Sequence, residues 1–490
     1  MKFKNLLCSV FVIFTITNSA LAIEEELILR PVDIKDGSIV SIIDCVSAAY
    51  KNSPKIKRQK YNLDIATSKV GIAKSQYFPV FSAGAGFYNE NNSDNVYYNH
   101  HYRELPNVGV SLNKLIWDFG KTTAFIKMEE FYKIGAEYEF MDSLCATLFD
   151  VKAKYYNVLK EQAMGKVWQE NLKINERFVK LAKKEPDLSS AKVYLSQAKV
   201  KMLDAQNGYK NAMVDLNNSM YLDGQPEYTL EDTPTFKLNR DFSNNIPDDA
   251  FQPQTFGFPI TKAVDIAYES SPDLQVLIAT KNAMEQSLKF VKRTYYPALT
   301  AGVGYNFLHT NQTSNNGLNV GVNLSSSVNL MELKHSIKGA DAELHLADNE
   351  IDLFKKDLYF EVKRAFNNVE KAEKQIPIAK MSAMEAVENL KLIENKYKAN
   401  AIDYTSLQDA RKDYIDEMLK YIECIYNYNM SLIQVEMAMH YHIVDIHDRS
   451  EHAVHYHSKD LIKHLIEALD CDRHEEKNRK SSHKNKKDNL

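Results

Sequence analysis

Tyr77-Phe78-Pro79-Val80-Phe81-Ser82-Ala83-Gly84-Ala85-Gly86-Phe87 and Tyr295-Tyr296-Pro297-Ala298-Leu299-Thr300-Ala301-Gly302-Val303-Gly304-Tyr305 follow one pattern. Two aromatic residues and a proline lead into alternating residues that end Gly-x-Gly. The match extends without gaps from 49–87 to 267–305, at an offset of 218. It contains ten identities in 39 positions, where roughly two would arise by chance. A second block repeats at offset 212. Asn107-Val108-Gly109-Val110 recurs as Asn319-Val320-Gly321-Val322, and Leu112, Leu195 and Ala198 recur as Leu324, Leu407 and Ala410. The chain is therefore duplicated, and the six-residue change of offset implies a longer loop in the first copy.

Each copy alternates with a period of two just after the proline. Leu318, Val320, Val322, Leu324 and Val328 fall on one side of a strand, and Asn319, Gly321, Asn323, Ser325, Ser327 and Asn329 on the other. Leu299, Ala301, Val303, Tyr305 and Phe307 form its partner. The first copy predicts strands near 80–88 and 107–117. The residue before a proline is biased away from helix, so the helical segments 41–76 and 260–294 should stop at Phe78-Pro79 and Tyr296-Pro297.

After each hairpin the period becomes helical. Ala340, Leu344, Ala347, Ile351, Phe354, Leu358, Val362, Ala365, Val369, Ala372 and Ile376 are spaced by threes and fours, as in a coiled-coil seam. The pattern runs on to Tyr397, which predicts a helix about 90 Å long. The first copy has its equivalent at about 121–183. Return helices are expected near 188–221 and 404–438. Gly165 and Pro377 occupy equivalent positions, and a bend is expected at both.

The chain has 490 residues, 44% hydrophobic and 26% charged, with a net charge of −4. Such a balance does not suit a general nucleic-acid binder. Mean hydropathy is −0.41, and no stretch approaches 20 apolar residues, so a bundle of membrane-spanning helices is excluded. Lys2 and Lys4, an apolar run from Leu6 to Ile16 and Ala20-Leu21-Ala22 read as a secretory signal peptide over 1–22. Any later crossing of a membrane would have to use a β-barrel. The remaining cysteines, Cys45, Cys145, Cys424 and Cys471, have no metal-type spacing and read as isolated thiols, with a Cys45–Cys471 bridge as the alternative. No G-x-x-x-x-G-K-[ST], H-E-x-x-H or G-x-S-x-G occurs, so no catalytic residue or cofactor is assigned.

The segments are then a signal at 1–22, a first repeat at 23–222 with its hairpin about 79–118, and a linker at 223–259 holding five of the 13 prolines. A second repeat spans 260–442 with its hairpin about 297–329, and a tail spans 443–490. Nine of the 14 histidines lie from His440 onward. His440, His442, His455 and His457 have spacing that can hold zinc or copper weakly, but the tail reads as a solvated appendage and no metal is assigned.

In order and in duplicate, these features resemble the TolC-like outer-membrane efflux protein family over about residues 38–442. The resemblance rests on the strand starts and on Leu115-Ile116-Trp117-Asp118-Phe119-Gly120-Lys121 at the hairpin-to-helix step. It rests also on Tyr397-Lys398-Ala399-Asn400-Ala401-Ile402-Asp403-Tyr404-Thr405-Ser406-Leu407-Gln408-Asp409-Ala410 at the helix tip. It implies a mostly α fold with a membrane β-barrel: a homotrimer whose 12-stranded barrel continues as an α-helical tunnel. It implies an outer-membrane location in a Gram-negative bacterium. The implied role is a passive exit duct, working with a periplasmic adaptor and an inner-membrane pump in tripartite efflux or type I secretion. Lipid would meet the apolar strand face, and Tyr77, Phe78, Trp117, Phe119, Tyr295 and Tyr296 would mark the membrane interface. At the tip the family pattern is a tyrosine, a basic residue and two acids. Tyr397 fits the tyrosine and Asp409 the second acid, but Ile402 and Ser406 depart from the other two. These four are the gate candidates, and Lys183, Lys184, Asp187 and Asn400 are candidate adaptor contacts. A soluble periplasmic coiled-coil protein is the alternative.

Overall fold

Ser53-Pro54 and Ser271-Pro272 each cut a helix in two. The computed structural model describes residues 34–90, 103–182, 185–222, 224, 226–231, 259–309 and 314–440. The expected signal peptide, Lys183, Lys184, Cys471 and the tail beyond His440 lie outside them. The single helices expected over 41–76 and 260–294 are in fact pairs. Helix α1 (Ile42–Asn52) gives way to α2 (Pro54–Ser75), and α5 (Ile260–Ser270) to α6 (Pro272–Lys292). Each serine leaves the helical region, at ψ 117° and 115°, and its Oγ accepts the amide of Ile56 or Leu274. The proline that follows needs no amide partner in the first turn.

The two hairpins come next in each copy. Strands β2 (Val80–Glu90) and β3 (Arg103–Trp117) form the first, and β5 (Ala298–His309) and β6 (Ser314–Ser325) the second. Gly84 pairs with Gly109 and Gly302 with Gly321, so equivalent residues meet equivalent partners. Antiparallel pairing of β3 with β5 joins the copies into one sheet of order β2-β3-β5-β6. The longer hairpin connection falls in the first copy.

Alternation survives across all four strands. Phe81, Leu112, Val303 and Val320 form one row of the sheet, and Ala83, Val110, Tyr305 and Leu318 the next. Lys114 interrupts this face beside Ala301. On the opposite face Ser82, Ser111, Gly304 and Asn319 align, as do Asn113, Gly302 and Gly321. Glycine is needed there for space. A Cβ on Gly302 would meet Asn113 Oδ1, and one on Gly109 would meet Asn306 Oδ1. The apolar face covers no core: Leu318, Val320, Val322 and Leu324 are 69%, 76%, 72% and 63% exposed.

Long helices follow each hairpin. Helix α3 (Lys121–Leu181) leads to α4 (Glu185–Ser219), and α7 (Leu330–Lys398) to α8 (Tyr404–Met439). The helix expected to about 183 ends at Leu181. Helices α3 and α7 run through Gly165 and Pro377 without interruption. Near the sheet the helices lie side by side as α2-α3-α6-α7, and farther away as α4-α3-α8-α7. The expected seam is buried: Ala340, Ala347, Ile351, Leu358, Val362, Ala365, Val369, Ala372 and Ile376 all face neighbouring helices, with Leu344 and Phe354 half-buried. Helix α4 buries Ala191, Ala198, Ala205 and Ala212, one every seven residues, which is the coiled-coil period.

One small element was not legible. Part of the stretch read as a linker forms β4 (Thr229–Leu230), which pairs in parallel with β1 (Ile39–Val40). Two-residue strands are too short to show a period. Tyr155 of α3 fixes them by donating to the carbonyls of Val40 (3.2 Å) and Glu231 (2.6 Å). Cys45, Cys145 and Cys424 are free thiols.

A buried ion pair crosses from α3 to α8. Lys152 Nζ lies 2.6 Å from Glu436 Oε2, with the two side chains 10% and 8% exposed. Removing one partner strands the other charge, so Lys152→Met should cost about 3–5 kcal/mol. Lys152→Met with Glu436→Leu should recover most of that. Chemical denaturation of the three proteins reads both effects.

Candidate functional site

The two ends of the helical layer carry the predicted residues. At the sheet end the chain turns from β3 into α3 through Phe119 and Gly120, both left-handed at φ 58° and 80°. Asp118 is buried and caps the helix: its Oδ1 accepts the amide of Gly120 (3.1 Å) and its Oδ2 that of Thr122 (2.7 Å). Arg293, from the second copy, donates to the Gly120 carbonyl at 2.8 Å. Locked this way, the turn stacks rings from both copies. Trp117 lies on Phe119 (centroids 4.1 Å), Phe119 on Tyr296 (5.0 Å), and Tyr296 beside Tyr295 (4.1 Å). Tyr77 bonds Thr123 at 2.8 Å, apart from this stack, and Phe78 stands free of it at the base of β2. All six rings are at least a third exposed.

At the far end α3 and α4 turn, and so do α7 and α8. Tyr397 Oη donates to Asp187 Oδ2 at 2.9 Å, which ties the end of α7 to the start of α4. Tyr397 packs edge-on to Tyr404, and Tyr404 lies beside Tyr194. Arg411 stands over the Tyr194 ring at 5.6 Å. It donates to Asn171 Oδ1 at 2.6 Å and to Gln408 Oε1 at 2.8 Å, and Gln408 donates to Tyr404 Oη at 2.5 Å. Glu394, buried at the tip, takes Lys398 at 3.3 Å and Arg177 of α3 at 3.5 Å. Four helix ends are thus joined by one polar cluster.

Burial pushes the Tyr397 hydroxyl up to about 12, with the Asp187 bond adding to it. Burial likewise takes Tyr404 up to about 12 and lowers Arg411 from its usual range. Both tyrosines stay neutral and Arg411 stays charged near neutral pH, so these bonds persist there.

The predicted residues divide. Tyr397 and Asp187 meet. Ser406 is occupied in capping α8, where its amide (3.2 Å) and hydroxyl (2.5 Å) both donate to Asp403 Oδ1, which holds the Asp403 carboxyl low. Ile402 is half-buried and Asp409 exposed, both outside the cluster. Asn400 is exposed and left-handed at φ 52°, in the turn between α7 and α8. Sequence reasoning missed Arg411, Tyr194, Asn171 and Gln408. Arg411 stands seven residues after Tyr404 on one helix, and that spacing was the available signal. Its partners Asn171 and Tyr194 come from α3 and α4, which no local pattern links to it.

His440 ends α8 in a left-handed conformation at φ 47°. His442, His455 and His457 lie outside the described residues. No described helix is long and apolar enough to cross a membrane.

Solved structures share this arrangement. CusC, whose structures concern transmembrane channel formation, matches with a TM-score of 0.69 at 12% identity, over 82% of this chain and 93% of its own. The CmeC outer membrane channel of Campylobacter jejuni matches with a TM-score of 0.67 at 16% identity, over 87% and 93%. VceC, an outer membrane protein of Vibrio cholerae, matches with a TM-score of 0.66 at 13% identity, over 81% and 95%. No curated protein matches the chain. The family model for outer membrane efflux proteins matches residues 45–220 and 263–439, and on that match the chain belongs to the outer membrane efflux protein family.

Proposed function

We propose that the protein is an outer-membrane channel-tunnel, a homotrimer that serves as the passive exit duct of a tripartite efflux pump or type I secretion system. The observation that carries this reading is the state of the edges. Among the described residues, strands β2 and β6 have no partner on their outer sides. Helices α2 and α4 on one side and α7 on the other are likewise at the margins of the layer. These marginal helices carry apolar stripes that no described residue covers. Tyr61, Ile65 and Ile72 are exposed on α2, Val193, Val200 and Val214 on α4, and Leu346, Leu353 and Phe360 on α7. Val193 and Val200, and the three α7 residues, recur every seven positions, as an intermolecular coiled-coil seam requires.

One margin of each protomer would meet the opposite margin of the next, a head-to-tail contact that closes into a ring. Open strand edges cannot stand in hydrocarbon. Two copies would give eight strands, a barrel filled by its own side chains, whereas three give twelve and leave a lumen. The strands, 11 to 15 residues long, are sufficient to cross a bilayer. The exposed apolar face would meet lipid and the Asn, Ser and Gly face would line the lumen. Lys114 would extend from the apolar face toward headgroups near Trp117. The relatives described as outer-membrane channels support the same location. An adaptor and an inner-membrane pump would engage the far tip, with Lys183, Lys184, Asp187 and Asn400 in reach.

The polar cluster would hold that tip closed. Asp409, exposed and outside the cluster, would contribute one carboxylate per protomer to a ring that favours cations. The chain's own chemistry would then be lumen size, lumen charge and a gate.

Three outcomes test this reading. The protein should run as a trimer in detergent, and Leu346→Glu with Leu353→Glu should yield helical monomers; a wild-type monomer would sink the proposal. In planar bilayers the wild type should give discrete, cation-preferring conductance steps, and Asp409→Ala should reduce that preference. Tyr397→Phe with Arg411→Gln should raise conductance several-fold; unchanged steps would place the constriction away from the tip.

A further inference from the structure

Midway along the layer, three side chains from three helices converge on one point that the channel reading does not use. They are Asp142 of α3, Asp273 in the first turn of α6, and His440 at the end of α8. One ligand atom from each lies within 4.8 Å of the other two. His440 Nε2 stands 4.0 Å from Asp142 Oδ1, too far for a hydrogen bond, and its Nδ1 is buried without a partner among the described residues. The His440 side chain is only 13% exposed. We propose that Asp142, Asp273 and His440 form a binding site for a divalent transition-metal ion of the zinc class.

The argument begins with what is unpaired. The His440 Nδ1 is buried and has no hydrogen-bond partner among the described residues, so it has lost its hydration with nothing in return. Beside it stand two carboxylates. Among the described residues no lysine or arginine is within ion-pair distance of either, and Glu139 adds a third negative charge nearby. Asp142 is half-buried and Asp273 exposed, and two like charges set against a buried imidazole favour a cation between them. The end of α8 contributes its negative dipole to the same point.

Donor type selects the ion. One imidazole nitrogen with two carboxylate oxygens suits zinc and its first-row neighbours, with a fourth position left for water. Tetrahedral zinc spaces its ligand atoms about 3.3 Å apart, so the three side chains need to close by up to about 1.5 Å.

The duplication supplies an independent control. At offset 218 the first copy has Lys55 where Asp273 stands, and at offset 212 Asp142 is equivalent to Phe354. The α1–α2 junction therefore forms without an acid at the position of Asp273, and the cluster draws Asp142 from the first copy and Asp273 and His440 from the second. A bound ion would fasten α3, the start of α6 and the end of α8, where Ser270 Oγ already donates to the Met439 carbonyl at 2.5 Å. The proposal does not depend on the trimer or the barrel.

Calorimetric titration of metal-free, full-length protein with zinc chloride tests it. The controls are Asp142→Asn with Asp273→Asn, and His440→Asn, which keeps a residue tolerant of the left-handed cap. Wild type should bind one more zinc ion per chain than the double variant. His440→Asn should weaken that site at least tenfold. Zinc should raise the wild-type melting temperature and leave that of the double variant lower than wild type by the same margin. Magnesium and calcium chloride should not substitute. Equal zinc stoichiometry and equal melting shifts in wild type and variants would assign any zinc to the tail histidines and overturn the site. Preference for calcium would overturn the choice of metal class.

Discussion

Pairing of β3 with β5 is the interaction on which the rest of the protomer depends. Each copy alone is a hairpin with helices attached, and an isolated hairpin is marginal. Their pairing places Gly109 opposite Asn306 and Gly302 opposite Asn113, so the asparagine side chains lie over glycines where any Cβ would collide. The same pairing brings Arg293 of the second copy to the Gly120 carbonyl of the first, and Tyr296 onto Phe119. Once the sheet is set, α3 and α7 leave it from equivalent positions. The helical layer then inherits the order of the strands.

A layer one element thick buries only the contacts between neighbours. That is why alanines and β-branched residues recur in the seams, and why large apolar residues remain on the marginal helices. It also explains why the apolar face of the sheet is bare. In a soluble domain, a second layer would cover Val320 and Val322. Here none of the described helices does so, and in the proposed channel that face would meet lipid. The alternative of a soluble coiled-coil protein asks the same face to stand in water.

Polar contacts are concentrated where helices must be held against each other rather than simply packed. Lys152 with Glu436, the Tyr397–Asp187 bond and the Arg411 cluster each link elements far apart in sequence. Each link is specific because a misplaced partner would leave a buried polar group unsatisfied. Apolar seams, by contrast, tolerate sliding by a heptad.

Repeats, periods and breakers determined the duplicated, mostly helical order of elements from the chain alone, because they are local properties. Two sequence offsets were enough to align the hairpins, and the observed register pairs the aligned glycines. The aromatic base was legible too, since Tyr77, Phe78, Trp117 and Phe119 cluster within the first hairpin. Ser53-Pro54 and Ser271-Pro272 were visible as identities, yet their meaning as helix breaks was read past. Only the tertiary structure decided the meeting of Arg411 with Asn171 and Tyr194, the β1–β4 pair and the meeting of Asp142, Asp273 and His440. Those groups come from helices 100 or more residues apart, or from strands of two residues. Neither leaves a period in the sequence, so only the packed chain brings them together.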